Sequence, residues 1–185
     1  APLAPNIQTA FDIGTGSGVI AAILAKRGIP DIIATDTNPK AIVCATANLE
    51  RLGLDKAVSI QSIDLFPETC ADLIVCNPPW LPAKPTSAIE TALYDPNHAM
   101  LTAFLNGVRH HLNPNGEAWL IISDLAEHLH LRDKDFLQQC FQMASLNVVD
   151  ILKTKPQHKK AIDESDPLAF ARNKETTYLY RLKAI

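Results

Sequence analysis

Asn77-Pro78-Pro79-Trp80 is a tetrapeptide able to hold a planar nitrogen in one orientation. Asn77 supplies a side-chain amide oxygen and Pro78 a backbone carbonyl, so two acceptors can take both hydrogens of an –NH₂ group. Pro78 and Pro79 stiffen the backbone, so the geometry is set before an acceptor arrives. Held this way, the nitrogen lone pair is discouraged from delocalising and is aimed at an electrophile. Trp80 can stack on the flat group or on a cationic centre. Earlier in the chain, Asp12-Ile13-Gly14-Thr15-Gly16-Ser17-Gly18 follows an apolar run, and its glycines permit a tight turn and close approach to a ligand. Asp36, 22 residues beyond Gly14, offers a carboxylate to both hydroxyls of a ribose. Asp64, at the end of the next apolar run, can accept from an adenine amino group. A nucleoside cofactor beside a held nitrogen points to nitrogen methylation. A sulfonium methyl requires no metal and no covalent intermediate, only in-line approach of a positioned nucleophile.

These residues need strands to carry them. Apolar runs alternate with amphipathic stretches, which predicts a parallel sheet covered by helices. The predicted strands are Thr9 to Ile13, Ile32 to Thr35, Val58 to Ile63, Asp72 to Cys76, Ala118 to Ile122, Val148 to Leu152 and Thr177 to Leu182. Val19 to Arg27 reads as a helix after the glycine turn. Asn38-Pro39 supplies an N-cap and first-turn proline for a second helix, running to about Leu52. Asp95-Pro96 repeats that pattern for a helix with Met100, Leu101, Phe104, Leu105, Val108 and Leu112 on one face, ended by the turn Asn113-Pro114-Asn115-Gly116. Asp124 and Glu127 have capping-box spacing for a further helix, which breaks near Arg132-Asp133 and resumes as Phe136, Leu137, Cys140 and Phe141. Pro78 to about Tyr94 reads as a proline-rich loop. The glycine turn, Asp36 and Asp64 then share the strand-end edge at which open α/β sheets bind ligands.

The remaining composition excludes several classes. A chain of 185 residues with 47% hydrophobic and 20% charged residues suits one domain, and a net charge of -3 argues against a general polyanion binder. No apolar run approaches the roughly 20 residues of a membrane span, and Ala1 to Thr9 lacks the pattern of a signal peptide. Cys44, Cys70, Cys76 and Cys140 form no Cys-x-x-Cys pair and read as reduced core thiols of a cytoplasmic protein. His110-His111 and His128-Leu129-His130 do not converge on one ion, so no metal site is expected. A Gly-x-Ser-x-Gly elbow is missing, which disfavours a hydrolase. Two rivals stand beside the methylation reading. One is a nucleoside-binding scaffold without turnover, against which Asn77 and Trp80 argue. The other is an NAD-dependent oxidoreductase, disfavoured because position 19 is Val where a dinucleotide fingerprint has glycine.

At this point the chain resembles the class I S-adenosylmethionine-dependent methyltransferases, and within them the methyltransferase small domain group. Asp12 to Gly18 is similar to the first motif, Thr35-Asp36-Thr37-Asn38-Pro39 to the ribose-binding acidic motif, and Ile63-Asp64-Leu65-Phe66 to the motif beside the adenine. Asn77-Pro78-Pro79-Trp80 is similar to the catalytic Asn-Pro-Pro-aromatic motif. The resemblance implies S-adenosyl-L-methionine as cofactor, bound through Asp12, Gly14, Thr15, Gly16, Gly18, Asp36, Thr37, Asp64, Leu65 and Asn77. It implies catalytic roles for Asn77, Pro78, Pro79 and Trp80. It also implies a Rossmann-like seven-stranded sheet of order 3-2-1-4-5-7-6, last strand antiparallel, with helices on both faces.

Two macromolecular substrates fit the group. Glu90-Thr91-Ala92-Leu93 resembles a stretch of the release-factor glutamine methyltransferases, although Trp80 stands where they carry Tyr and no proline follows Glu90. Ribosomal RNA base N-methyltransferases carry Asn-Pro-Pro with varied aromatics, and for them the loop Lys153 to Lys160 offers phosphate contacts. The expected partner is thus a translation protein or ribosomal RNA, with no membrane involved. Residues 1–185 are expected to be a catalytic domain from a longer chain, since Ala1 to Gln8 cannot supply the helix or recognition domain this group places before its first strand.

Overall fold

The computed structural model describes residues 1–82, 94–156 and 169–185. Seven strands form one sheet: β1 (Thr9–Ile13), β2 (Asp31–Thr35), β3 (Val58–Gln61), β4 (Ala71–Cys76), β5 (Leu112–Ser123), β6 (Leu146–Thr154) and β7 (Thr177–Ala184). Their order is β3-β2-β1-β4-β5-β7-β6. β7 runs antiparallel to β5 and β6, and the other pairings are parallel. The order and the antiparallel strand agree with the expectation from sequence.

Alternation along the central strands decides which helix covers which face. Phe11, Ile13, Ile74 and Cys76 point to one side, where α3 (Ala99–Val108) brings Leu101, Phe104 and Leu105, and α5 (Phe136–Met143) brings Leu137 and Phe141. Ala10, Ile32, Ala34, Leu73 and Val75 point to the other, against α1 (Val19–Lys26) and α2 (Pro39–Arg51). Burial of each large apolar side chain in these layers is worth about 1.5–3 kcal/mol. α2 begins as its sequence indicates: Asn38 Oδ1 accepts from the Lys40 N–H at 3.0 Å and Pro39 occupies the first turn. Among the described residues no helix is long and apolar enough to cross a membrane.

Several elements depart from the expectation. Asp95-Pro96 opens a 3-10 turn (Pro96–His98), because Asn97 and His98 both take positive φ, and α3 starts only at Ala99. The Asp95 carboxylate still caps it, accepting from Met100 N–H at 2.9 Å and Leu101 N–H at 3.0 Å. Leu112 lies in β5, not on α3. Asn113-Pro114-Asn115-Gly116 is an irregularity inside β5, where the register jumps from Ala71↔Leu112 to Leu73↔Glu117. Asp72 ties this detour down, accepting from Asn113 Nδ2 at 2.9 Å and from the Gln8 and Thr9 N–H groups at 2.8 and 3.0 Å.

The capping box at Asp124 and Glu127 does not form in the short α4 (Leu125–His128). Asp124 turns to the Thr176 N–H at 2.7 Å, Glu127 pairs with Arg132 at 2.8 Å, and the Ser123 hydroxyl takes the Leu125 N–H instead. A further helical turn, α6 (Ala169–Arg172), precedes β7. Of the four thiols only Cys76 and Cys140 are in the core; Cys44 is on the solvent side of α2 and Cys70 is in the exposed segment before β4. Glu90 to Leu93 and Gln157 to Lys160 lie outside the described residues.

Candidate active site

β1 and β4 are neighbours in the sheet, so the glycine turn and the Asn-Pro-Pro loop leave adjacent strands at the same end. Three hydrogen bonds draw β2 and the segment after β3 to this point. Thr15 N–H donates to the Thr35 carbonyl at 2.8 Å, Asp36 N–H to the Gln61 carbonyl at 3.3 Å, and the buried Thr35 hydroxyl to the Leu65 carbonyl at 2.7 Å. The resulting cavity has a volume of about 380 Å³. Gly14, Thr15, Gly16, Asp36, Thr37, Asp64, Leu65, Asn77 and Pro79, all singled out from sequence, line it.

The glycines are required by geometry. Gly14 has φ +69°, and a Cβ there would lie 2.5 Å from the Met100 methyl carbon. Gly18, at φ +80°, opens α1 and lets it pack on α2, since a Cβ would meet the Ala45 Cβ at 3.2 Å. Asp36 spans two segments: one oxygen accepts from the Gly16 N–H at 2.9 Å and the other from the Asn38 N–H at 2.8 Å. Each oxygen keeps a second lone pair for a ligand hydroxyl. Asp64 is exposed and lies beyond the end of β3, which closes at Gln61, so it reaches the cavity from a bend and not from a strand end.

Asp12, Gly18, Pro78 and Trp80 are not part of the lining wall. Asp12 is fully buried, and its Oδ2 accepts from the Thr15 hydroxyl at 2.7 Å and the Ala21 N–H at 2.9 Å. Its Oδ1 has no hydrogen-bond partner among the described residues. Burial raises this carboxyl to about 6; the two hydrogen bonds lower it only in part, and the Asp36 charge adds to the rise. Asp12 therefore joins the turn to α1 from below instead of walling the cavity. Trp80 is half-buried, packs on the core beneath, and donates its indole N–H to Asn77 Oδ1 at 3.0 Å.

Sequence reasoning missed Ile20, Ala41 and Met100, which with Ile63 give the cavity apolar walls. Met100 was legible only as a core-facing helix position; its approach to Gly14 is a tertiary contact without a local signature. Carboxylates at Asp36 and Asp64, apolar walls and a turn whose glycines all take positive φ fit a nucleoside, and the volume falls within the range of small-ligand sites.

A family model described as "Methyltransferase small domain" matches residues 3–152. The tRNA1(Val) (adenine(37)-N6)-methyltransferase of Cytophaga hutchinsonii is 35% identical over 131 residues, covering 66% of this chain and 54% of that protein. The release factor glutamine methyltransferase of Cereibacter sphaeroides is 35% identical over 137 residues, covering 66% of this chain and 49% of that protein. The chain thus spans about half the length of these curated relatives. A SAM-dependent methyltransferase from Thiobacillus denitrificans, solved in complex with S-adenosyl-L-homocysteine, shares the fold with a TM-score of 0.64 at 15% identity, covering 96% of this chain and 85% of that one.

Proposed function

The chain belongs to the methyltransferase small domain family, and from that premise we propose that it transfers a methyl group from S-adenosylmethionine to a planar nitrogen of a macromolecule, either a protein glutamine amide or an RNA base amino group. The observation that carries the reading is the placement of Asn77 and Pro79 in the wall of the same cavity as the glycine turn, Asp36 and Asp64. Asp36 would hold the ribose hydroxyls and Asp64 the adenine amino group, with Ile63 and Leu65 as apolar walls for the base. Bound there, the cofactor supplies an electrophilic methyl on a sulfonium. Asn77 Oδ1 and the Pro78 carbonyl accept the two N–H groups of the acceptor and orient its lone pair. As the N–C bond formed, the methyl–sulfur bond would break with its electron pair left on sulfur, and the nitrogen would release one proton to solvent water while its remaining N–H stayed on one of the two acceptors. Positioning of this kind lowers a barrier by about 7–11 kcal/mol at best. The named relatives, which act on a tRNA adenine and a release-factor glutamine, support both nitrogen classes as candidates.

The test is transfer of labelled methyl from S-adenosylmethionine into cell extract, followed by separate protease and ribonuclease digestion. Label released by one of the two digestions names the substrate class. Label recovered in a small organic molecule that survives both overturns the macromolecular reading. Asn77→Ala should weaken S-adenosylhomocysteine binding by no more than about tenfold, the size of one wall contact, and slow transfer further, on the order of 10²–10³-fold, as loss of a transition-state hydrogen-bonding group does. Transfer at the parental rate would remove the role given to this loop.

A further inference from the structure

We propose that Trp80 is a positioning residue for the transfer, acting through its indole N–H on Asn77, beyond any stacking it offers to the acceptor. This rests on the proposed reaction. The side-chain amide of Asn77 has two faces of nearly equal shape, an oxygen that accepts and an –NH₂ that donates. Only the oxygen is useful to an incoming –NH₂ group; the flipped amide would set donor against donor. Asn77 is exposed, so neither packing nor solvent selects between the two orientations. The Trp80 Nε1–H, 3.0 Å from Asn77 Oδ1, does select, because an indole nitrogen donates and never accepts. Trp80 is itself anchored, half-buried against the cluster that contains Leu101 and Leu120, while Pro78 and Pro79 restrict the backbone between the two side chains. One lone pair of Oδ1 is thereby used, and the other is left for the acceptor nitrogen. A phenyl ring at this position would stack equally well but would leave the amide free to turn.

The chain has two tryptophans, which makes the bond directly observable. The Trp119 indole donates to Glu117 Oε2 at 3.0 Å in the core between the sheet and α1, on the opposite face of the sheet from the cluster that seats Trp80, and serves as an internal reference. In a proton–nitrogen spectrum of the cofactor-free protein, Asn77→Ala should move the Trp80 indole proton upfield and Asn77→Asp should move it downfield, while the Trp119 resonance stays in place. The second measurement uses Trp80→β-(3-benzothienyl)alanine, which keeps the outline of the ring and replaces N–H by sulfur. Its kcat, measured on the acceptor fraction identified by digestion, should fall about tenfold, the size of one neutral hydrogen bond lost at the transition state. KM for that fraction and calorimetric affinity for S-adenosylhomocysteine should hold, which a merely structural or stacking role would not predict.

An indole resonance indifferent to both Asn77 substitutions overturns the bond, and an isostere with parental kcat overturns the positioning role alone. A parent protein that transfers methyl to no acceptor, with the two resonance shifts intact, overturns the proposed reaction and this role together while leaving the bond established.

Discussion

Replacing Asp12 by asparagine should make the protein more stable relative to the parent at neutral pH than at acid pH. The Asp12 carboxyl is fully buried and rises from the usual 3.8 to about 6. Between those values the folded state holds a proton that the unfolded chain has released, so the contribution of Asp12 is complete below pH 3.8 and is lost as pH rises through 6. A separation of this size corresponds to about 3 kcal/mol. Asn is neutral throughout, and its amide oxygen can keep the Thr15 and Ala21 hydrogen bonds that Oδ2 accepts. Its amide nitrogen then occupies the place of Oδ1, which has no partner among the described residues, at a cost that does not vary with pH.

The stability of the parent minus that of Asp12→Asn should therefore fall by about 2–3 kcal/mol between pH 4 and pH 7. Titrations of groups that do not couple to Asp12 cancel in the difference. Burial raises the Asp72 and Glu117 carboxyls, but hydrogen bonds from Asn113 and Arg181 outweigh it and hold both low in either protein. Urea unfolding at a series of pH values, analysed with a common slope, reads the quantity directly. Parallel stability curves for the two proteins would show that Asp12 titrates like an exposed carboxylate and would refute the reasoning.

Two further outcomes follow from the site. Asp36→Ala should weaken calorimetric binding of S-adenosylhomocysteine by about 1.5–3 kcal/mol, the size of lost hydrogen bonds to a charged group, and unchanged affinity would sink the ribose assignment. Gly14→Ala should destabilise the cofactor-free protein by about 1–2 kcal/mol through its positive φ alone, since the Met100 methyl at the clash point can swing aside. The same urea titration in a Met100→Ala background should give the same loss, and a loss that disappears there would assign the cost to the clash instead.

Much of this site was legible because its cues are local. Asn38-Pro39 caps α2 with its own side chain and ring, and the glycine turn follows β1 directly. What escaped the sequence was decided at a distance. Asn113 to Gly116 has turn chemistry, yet Asp72 on the neighbouring strand holds it inside β5. Asp124 has the composition of a cap, but the Thr176 N–H, 52 residues away, claims its carboxylate. Asp12 reads as a ligand-facing acid because it begins the first motif, whereas the start of α1 folds over it and takes one of its oxygens. The bond from Trp80 to Asn77 is short in sequence, but it depends on how the core below seats the indole.

The position of β7 between β5 and β6 has a consequence for biosynthesis. The cavity is lined by residues from Gly14 to Met100, all made before β5, while β7 arrives last and must insert into the slot between strands already synthesised. A nascent chain that has emerged only as far as β6 therefore holds every described residue of the cavity wall on a sheet whose β5 edge is open, and an open apolar edge invites mispairing with other chains. Because a ligand stabilises whatever it binds, cofactor captured at this stage would hold the first five strands together until β7 seals the sheet.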